Sequence, residues 1–529
     1  MPDAVTLAVQ LKNEGNALFA RRDYRAAHHK YTLAINEDDN NAVLYANRAA
    51  CSHHLHNFLD ASADASRATD IDPTYAKAWA RYAAARGSLG DETGSIEGWR
   101  RAIDALPREN RTPAEVRQLD QYQAELATIE RRLNRRNNEP ARGTRLSAET
   151  TPWTRATALL PELRASQQIM SSAFIIWGAF EEWQQGLNAI GMQRVVGGMM
   201  SGYVGAIERL CSAIMRDTRV FHLTAGFISK YNNQVQFEVN MTKAWAEGGT
   251  DIIIPELVRR QQLEGWDSAR PAIGTTVRIY IMQGFMESHI HQRHAGGVEY
   301  VGRALEIIRW GNRTWANVPA ADRGAVFGDS FMHGVHAVYL DVLFEAAVNS
   351  PRRYLDLLEK EAQALLHLDV AHMSANDHND PGFIASFTTY PRAIAFSMMG
   401  YCHAQKAQKL AGGNSEERET SKALYQDAAR AYSSAATSYF KDDEKHVWML
   451  SCSLTNSFHY RAPLSVTLPL MQQIRDRLPV AQKIWEFGML SQANSAQLRR
   501  VVDFEAEVRG AVEAGRLSMD SCVMLGDRI

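Results

Sequence analysis

The sequence predicts an all-α protein, and three observations carry that expectation. Near the N-terminus several columns recur every 34 residues: Ala27, Ala61 and Ser95; Ala34, Ala68 and Ala102; Leu11, Tyr45 and Trp79; Pro73 and Pro107. Elsewhere apolar residues return at three- and four-residue steps over long stretches, as helices require. Alternating strand-like runs are scarce. Val235-Gln236-Phe237-Glu238-Val239 is the clearest strand candidate, and its pattern leaves a helix open.

A period of 34 is that of the tetratricopeptide helix–turn–helix unit, so the spacing predicts three repeats over about 8–41, 42–75 and 76–109. The small residues at Ala27/Ala61/Ser95 and Ala34/Ala68/Ala102 lie two turns apart on each second helix and let it approach its partner. Tyr45 and Trp79 are expected to fill the space between repeats. Pro73 and Pro107 end the second helices, because proline lacks an amide proton and restricts the residue before it. A single hairpin cannot bury its apolar face, so stacking supplies the core.

Thr112-Pro113-Ala114-Glu115 has the capping-box pattern with proline at the first helical position. Val116, Leu119, Tyr122, Leu126, Ile129 and Leu133 then form one stripe, which predicts a capping helix over 112–136 that covers the third repeat. The arginine-rich stretch from Arg131 to Arg145, broken by Pro140 and Gly143, leads through a linker over 137–152 and reads as a solvated connector rather than a nucleic-acid contact.

Composition narrows the function. With 529 residues, 45% hydrophobic and 22% charged, the chain reads as several globular domains, and a net charge of −2 gives no push toward nucleic acid or membrane. Five scattered cysteines without CxxC spacing read as buried thiols of a reducing compartment. The N-terminus lacks a secretory pattern, and the apolar stretch from Ile169 to Phe180 is too short for a bilayer. A cytoplasmic protein is expected.

Five polar residues go beyond architecture. Lys12 and Asn16 are four apart on the first helix of repeat one, Asn47 lies on that of repeat two, and Lys77 and Arg81 are four apart on that of repeat three. The strings Lys12-Asn13-Glu14-Gly15-Asn16, Asn47-Arg48 and Lys77-Ala78-Trp79-Ala80-Arg81 resemble the two-carboxylate clamp of tetratricopeptide co-chaperones of the Hop/STI, SGT and CHIP type. The resemblance covers about residues 8–110. It implies a concave groove that binds the Glu-Glu-Val-Asp C-terminus of cytosolic seventy- and ninety-kilodalton heat-shock chaperones. The residue types suit such a groove, because lysines neutralise carboxylates as point charges, arginine can also donate in a fork, and asparagines donate without adding charge.

Residues 153–529 carry no recognised resemblance. Gly297–Trp310, Phe331–Val348, Arg352–His372 and Glu416–Tyr439 have helical spacing, and the segments 295–304 and 427–436 look like second helices of degenerate repeats. An array of irregular helical hairpins that binds a second, unidentified protein is the expectation.

Histidines gather in this region: Glu287, His289, His291 and His294, then His333 and His336, then His367, Asp369, His372, Asp377, His378 and Asp380. Glu287 with His291, and His333 with His336, are the candidate metal ligands, since their spacing suits one helical face. They do not complete a HExxH or a paired Glu-x-x-His motif, so packed histidines are favoured and neither metal nor cofactor is expected.

Phosphate-loop, serine-elbow and zinc-cysteine signatures are missing. Gly197, Gly198, Gly202 and Gly205 read as close helix-packing positions. The expected function is a non-enzymatic chaperone adaptor. The alternatives are an enzyme with a histidine–carboxylate metal centre, and a repeat scaffold that binds internal segments.

Overall fold

The computed structural model describes residues 4–137, 148–192, 194–196, 199–368 and 380–528. They are almost wholly helical. The first six helices are α1 (Ala4–Ala20), α2 (Tyr24–Glu37), α3 (Ala42–His54), α4 (Phe58–Ile71), α5 (Ala76–Leu89) and α6 (Glu92–Asp104). They pair as three hairpins in the predicted register.

Ala27, Ala34, Ala61, Ala68, Ala102 and Ser95 are all buried. Serine is tolerated in that column because its Oγ donates to the Ala83 carbonyl at 2.8 Å. Asp23, Asn41 and Asp91 cap α2, α3 and α6 by accepting from backbone amides. Tyr45 packs between Leu11, Ala34 and Leu44 on one side and Ala42, Ala68 and Ala78 on the other, joining adjacent repeats.

α7 (Pro113–Asn137) opens on the expected box: Thr112 N–H donates to Glu115 Oε2 at 2.7 Å and Glu115 N–H to Thr112 Oγ1 at 3.3 Å. Its stripe packs on Trp99 and Ala102 through Tyr122 and Ile129, whereas Val116 is exposed.

The chain divides into two compact units, residues 1–143 with 238–323 and residues 144–237 with 324–529. This differs from the expectation of one continuous domain over 153–529. The reason lies on the loop edge of the repeats, where α12 (Thr250–Glu264), α13 (Trp266–His289), α14 (His294–Thr314) and α15 (Ala320–Arg323) return to the first unit.

Gly249 N–H donates to Asp60 Oδ1 at 2.9 Å, and Leu59 N–H to Glu299 Oε1 at 3.3 Å. Arg303 pairs with Glu299 and Glu306 and reaches Asn57 Oδ1 at 2.7 Å, while Arg293 bridges Glu92 and Glu287. A Cβ at Gly249 would run into the Asp60 carboxylate, and one at Gly296 into the Leu89 carbonyl, so these two close approaches require glycine.

Asp60 is buried at this contact. Burial first, and then the nearby Asp251 charge, push its carboxyl up to about 8 against the opposing pull of Arg303. A folded-state pKa above the unfolded value means that the native state holds the extra proton. The contribution is therefore complete below about pH 4 and is lost as pH rises through about 8. Asp60→Asn keeps an acceptor for Gly249 and removes the titration. Its urea midpoint is expected to change less than wild type between pH 6 and pH 9; a wild-type slope in the variant would refute this account.

The second unit begins with α8 (Pro152–Ala165) and α9 (Ser172–Gly191), followed by a two-stranded antiparallel hairpin, β1 (Arg194–Val196) and β2 (Met199–Ser201), and α10 (Ala206–Arg216). The strand candidate at 235–239 lies inside a helix, α11 (Phe227–Thr242), where Phe227, Tyr231 and Gln234 are buried at four- and three-residue steps. Gly202 and Gly205 are in the turn before α10 and not in a helix; Gly205 has φ +102°, a conformation that favours glycine. Gly197 and Gly198 lie outside the described residues.

The rest of the unit is helical: α16 (Asp329–Asn349), α17 (Pro351–Leu366), α18 (Pro381–Phe387), α19 (Thr389–Leu410), α20 (Ser415–Ser438), α21 (Glu444–His459), α22 (Leu464–Trp485) and α23 (Met489–Glu513). Successive helices pack as hairpins on a core that includes Ala428, Leu450, Leu468, Ile474 and Val508. α16 is long and apolar enough to cross a membrane by length and composition, but its apolar window is 72% buried inside the protein, as in a core helix.

A buried ion network in this unit centres on Arg219. The Arg219 guanidinium lies between Asp217 and Asp443, 2.7 and 2.8 Å away, with Glu444 at 3.3 Å and the Trp485 ring centroid at 3.6 Å. All five cysteines are free thiols; Cys51, Cys211 and Cys402 are buried and Cys452 half-buried, but Cys522 is exposed, unlike the buried reading of the sequence.

Candidate functional site

Helices α1, α3 and α5 carry the five residues singled out in the repeats: Lys12 and Asn16, Asn47, and Lys77 and Arg81. Three of them form a continuous line of hydrogen bonds. Arg81 Nη1 donates to Asn47 Oδ1 at 3.2 Å, Asn47 Nδ2 donates to Asn16 Oδ1 at 3.3 Å, and the Tyr31 hydroxyl donates to the same Asn16 oxygen at 2.8 Å.

The direction of this line follows from its first member. A guanidinium only donates, so Asn47 must present its oxygen to Arg81 and its amide nitrogen to Asn16. Asn16 must then present oxygen to Asn47, and Tyr31 must donate. Both lone-pair directions of the Asn16 oxygen are occupied, which leaves its two N–H groups turned to the exposed side.

Arg81 is half-buried, and burial lowers its pKa, partly offset by the tyrosines Tyr75, Tyr31 and Tyr122 and by Cys51. An arginine so placed stays cationic. Among the described residues no carboxylate lies within ion-pair distance of Lys12, Lys77 or Arg81. Neighbouring arginines are different: Arg48 pairs with Asp64 at 2.7 Å, and Arg86 pairs with Asp91. Lys77 and Asn16 are exposed and Lys12 is half-buried. The face is electropositive, rich in oriented donors, and open.

Sequence reasoning missed Tyr31, which lies on α2 and reaches the site across the hairpin. The available signal was Gly15. A Cβ there would lie 2.8 Å from the Tyr31 ring, so glycine is what allows the ring to pack beneath Asn16, with Tyr31 only 2% exposed. Burial raises the Tyr31 phenol to about 12, which keeps it a donor at neutral pH.

The candidate metal ligands do not come together. α13 ends at His289, so His291 falls beyond the helix that carries Glu287, and Glu287 pairs with Arg293 at 3.1 Å. His333 Nδ1 is 3.1 Å from the Phe387 carbonyl and His336 Nε2 is 3.0 Å from Glu361, both in the other unit. Among the described residues no group of three or more histidine, cysteine or carboxylate side chains could hold a metal ion. Asp369, His372, Asp377 and His378 lie outside the described residues.

No family model matches the chain. Curated relatives do. The heat shock protein sti1 homolog of Schizosaccharomyces pombe is 42% identical over 85 residues, covering 16% of this chain and 14% of that protein. The heat-shock protein cognate (HSC) co-chaperone sgt12 of Aspergillus fumigatus is 38% identical over 96 residues, 18% of this chain and 28% of that protein. Over these spans the repeats are similar to the tetratricopeptide repeats of co-chaperones.

Small glutamine-rich tetratricopeptide repeat-containing protein 2 of Saccharomyces cerevisiae matches this chain over a longer span, 34% identical over 133 residues, 25% of this chain and 37% of that protein. The chain thus spans 14–37% of the length of these relatives.

Proposed function

We propose that the chain is a co-chaperone adaptor whose repeats hold the Glu-Glu-Val-Asp C-terminus of cytoplasmic seventy- and ninety-kilodalton heat-shock chaperones. The observation that carries this reading is Arg81, a half-buried guanidinium with no carboxylate partner among the described residues, held in line with Asn47 and Asn16. Lys12 and Lys77 add point charges on the same three helices. A terminal aspartate brings two carboxylates, and the site offers cations and uncommitted amide protons to both. The names of the relatives support the reading, since one is a co-chaperone of a heat-shock cognate protein.

Residues 153–529 act, in this reading, as a helical interaction region for a second protein and not as an enzyme. Tethering two partners on one chain raises their effective concentration.

The test is calorimetric. A chaperone-tail peptide with a free C-terminal carboxylate is expected to bind the full chain at least about tenfold more tightly than its C-terminal amide, a difference on the order of 1.4 kcal/mol. Comparable affinities would remove the clamp and leave a scaffold for internal segments.

A further inference from the structure

We infer that Tyr31 is a positioning residue of the carboxylate site, acting through Asn16 and never touching the ligand itself. The inference rests on the reading that the site grips a chain end. It also adds a role for a residue on a second helix, outside the set the repeats predict.

Asn16 is exposed and sits on α1, where an asparagine side chain is otherwise free to rotate about its last torsion and exchange oxygen for nitrogen. With the wrong end outward it presents an oxygen to an incoming carboxylate and repels it. Two donors prevent this by meeting at Asn16 Oδ1: Asn47 Nδ2 at 3.3 Å and the Tyr31 hydroxyl at 2.8 Å. The Tyr31 bond is the shorter, and it comes from a side chain that is itself immobilised. Tyr31 is buried with Ala27 and Cys51, against Leu18 and Phe19, and its ring lies over Gly15.

The asparagine thus meets the ligand with its orientation already set, so the ordering cost falls on folding and not on binding. Tyr31 fixes one end of the line and Arg81 the other. The line runs through α2, α1, α3 and α5, so ligand recognition depends on how all three repeats are stacked.

The test is a double-mutant cycle on the full chain, read with the free-carboxylate peptide and its amide. Tyr31→Phe keeps the ring and removes only the hydroxyl. It is expected to weaken binding of the free acid about three- to tenfold, the range of one neutral hydrogen bond. It should leave amide binding and the thermal midpoint near wild type.

In an Asn16→Ala background the same change is expected to cost nothing, because the group it orients is gone. A merely structural tyrosine would lower affinity equally in both backgrounds. Equal losses, or no loss in the single variant, overturn the inference. If wild type does not distinguish acid from amide, the clamp reading itself fails, and the positioning role falls with it.

Discussion

Replacing Arg81 by alanine is expected to lower affinity for a carboxylate-terminated chaperone tail by about 2–5 kcal/mol, roughly thirtyfold to several thousandfold. Two losses combine. The fork that meets the terminal carboxylates disappears, and Asn47 loses the donor that directs its oxygen inward, because Arg81 Nη1 lies 3.2 Å from that atom. The free Asn47 amide can then rotate, and Asn16 loses part of its own orientation.

Arg81→Lys keeps the charge but not the planar fork, so an intermediate loss is expected. Titration of each variant with the free-acid and amide peptides measures the effect. An Arg81→Ala protein that binds the acid as wild type does would show that recognition lies elsewhere. Folding is a smaller concern at this position, since the guanidinium satisfies no buried carboxylate.

The largest effect on stability is expected at Arg219. Its guanidinium neutralises Asp217 and Asp443, whose side chains are 2% and 0% exposed, and it also stacks on Trp485. Burial alone would raise both carboxyl pKa values. The Arg219 charge and its hydrogen bonds outweigh that and hold both below the ordinary aspartate value.

Arg219→Met removes the countercharge and leaves two buried anions. The expected cost is about 3–5 kcal/mol, measured as a shift in the urea midpoint of a circular-dichroism transition. Adding Asp217→Asn and Asp443→Asn to that variant should restore part of the loss. A single variant within about 1 kcal/mol of wild type would refute the network's role.

The pH dependence of this network is opposite to that of Asp60. Carboxyls depressed in the folded state contribute stability above about pH 4, and that contribution is lost as pH falls through their lower native values.

How much of this was legible in the sequence depends on how local each signal is. The repeats were readable because a 34-residue period places Ala34, Ala68 and Ala102 at equivalent packing positions, and any larger residue there would separate two helices. Thr112 and Glu115 were readable because a capping box is complete within four residues.

The return of residues 238–323 to the repeats was not readable. It rests on single contacts between residues some two hundred positions apart, such as Leu59 with Glu299, and no periodicity announces them. Val235–Val239 has the alternation of a strand, yet burial of Phe227, Tyr231 and Gln234 on one face of α11 outweighs it.

The pairing of Glu287 with His291 failed because spacing predicts a shared face only while the helix continues, and α13 stops at His289. Within the site, the five positions were singled out by the resemblance to the two-carboxylate clamp, and only Asn47 and Arg81 are equivalent across the 34-residue repeat. The hydrogen-bonded line did not, since it depends on which end of each amide faces its neighbour.

The discontinuity of the first unit also bears on the order in which the protein is made. Repeats one to three are synthesised about 140 residues before Gly249 and about 190 before Glu299, a delay on the order of 10 s at typical translation speeds. During that interval Asp60 and the Leu59 amide lack their Gly249 and Glu299 partners and face water, so the Asp60 carboxyl stays in the ordinary aspartate range. The edge that residues 249–299 cover in the finished protein is bare until they are synthesised.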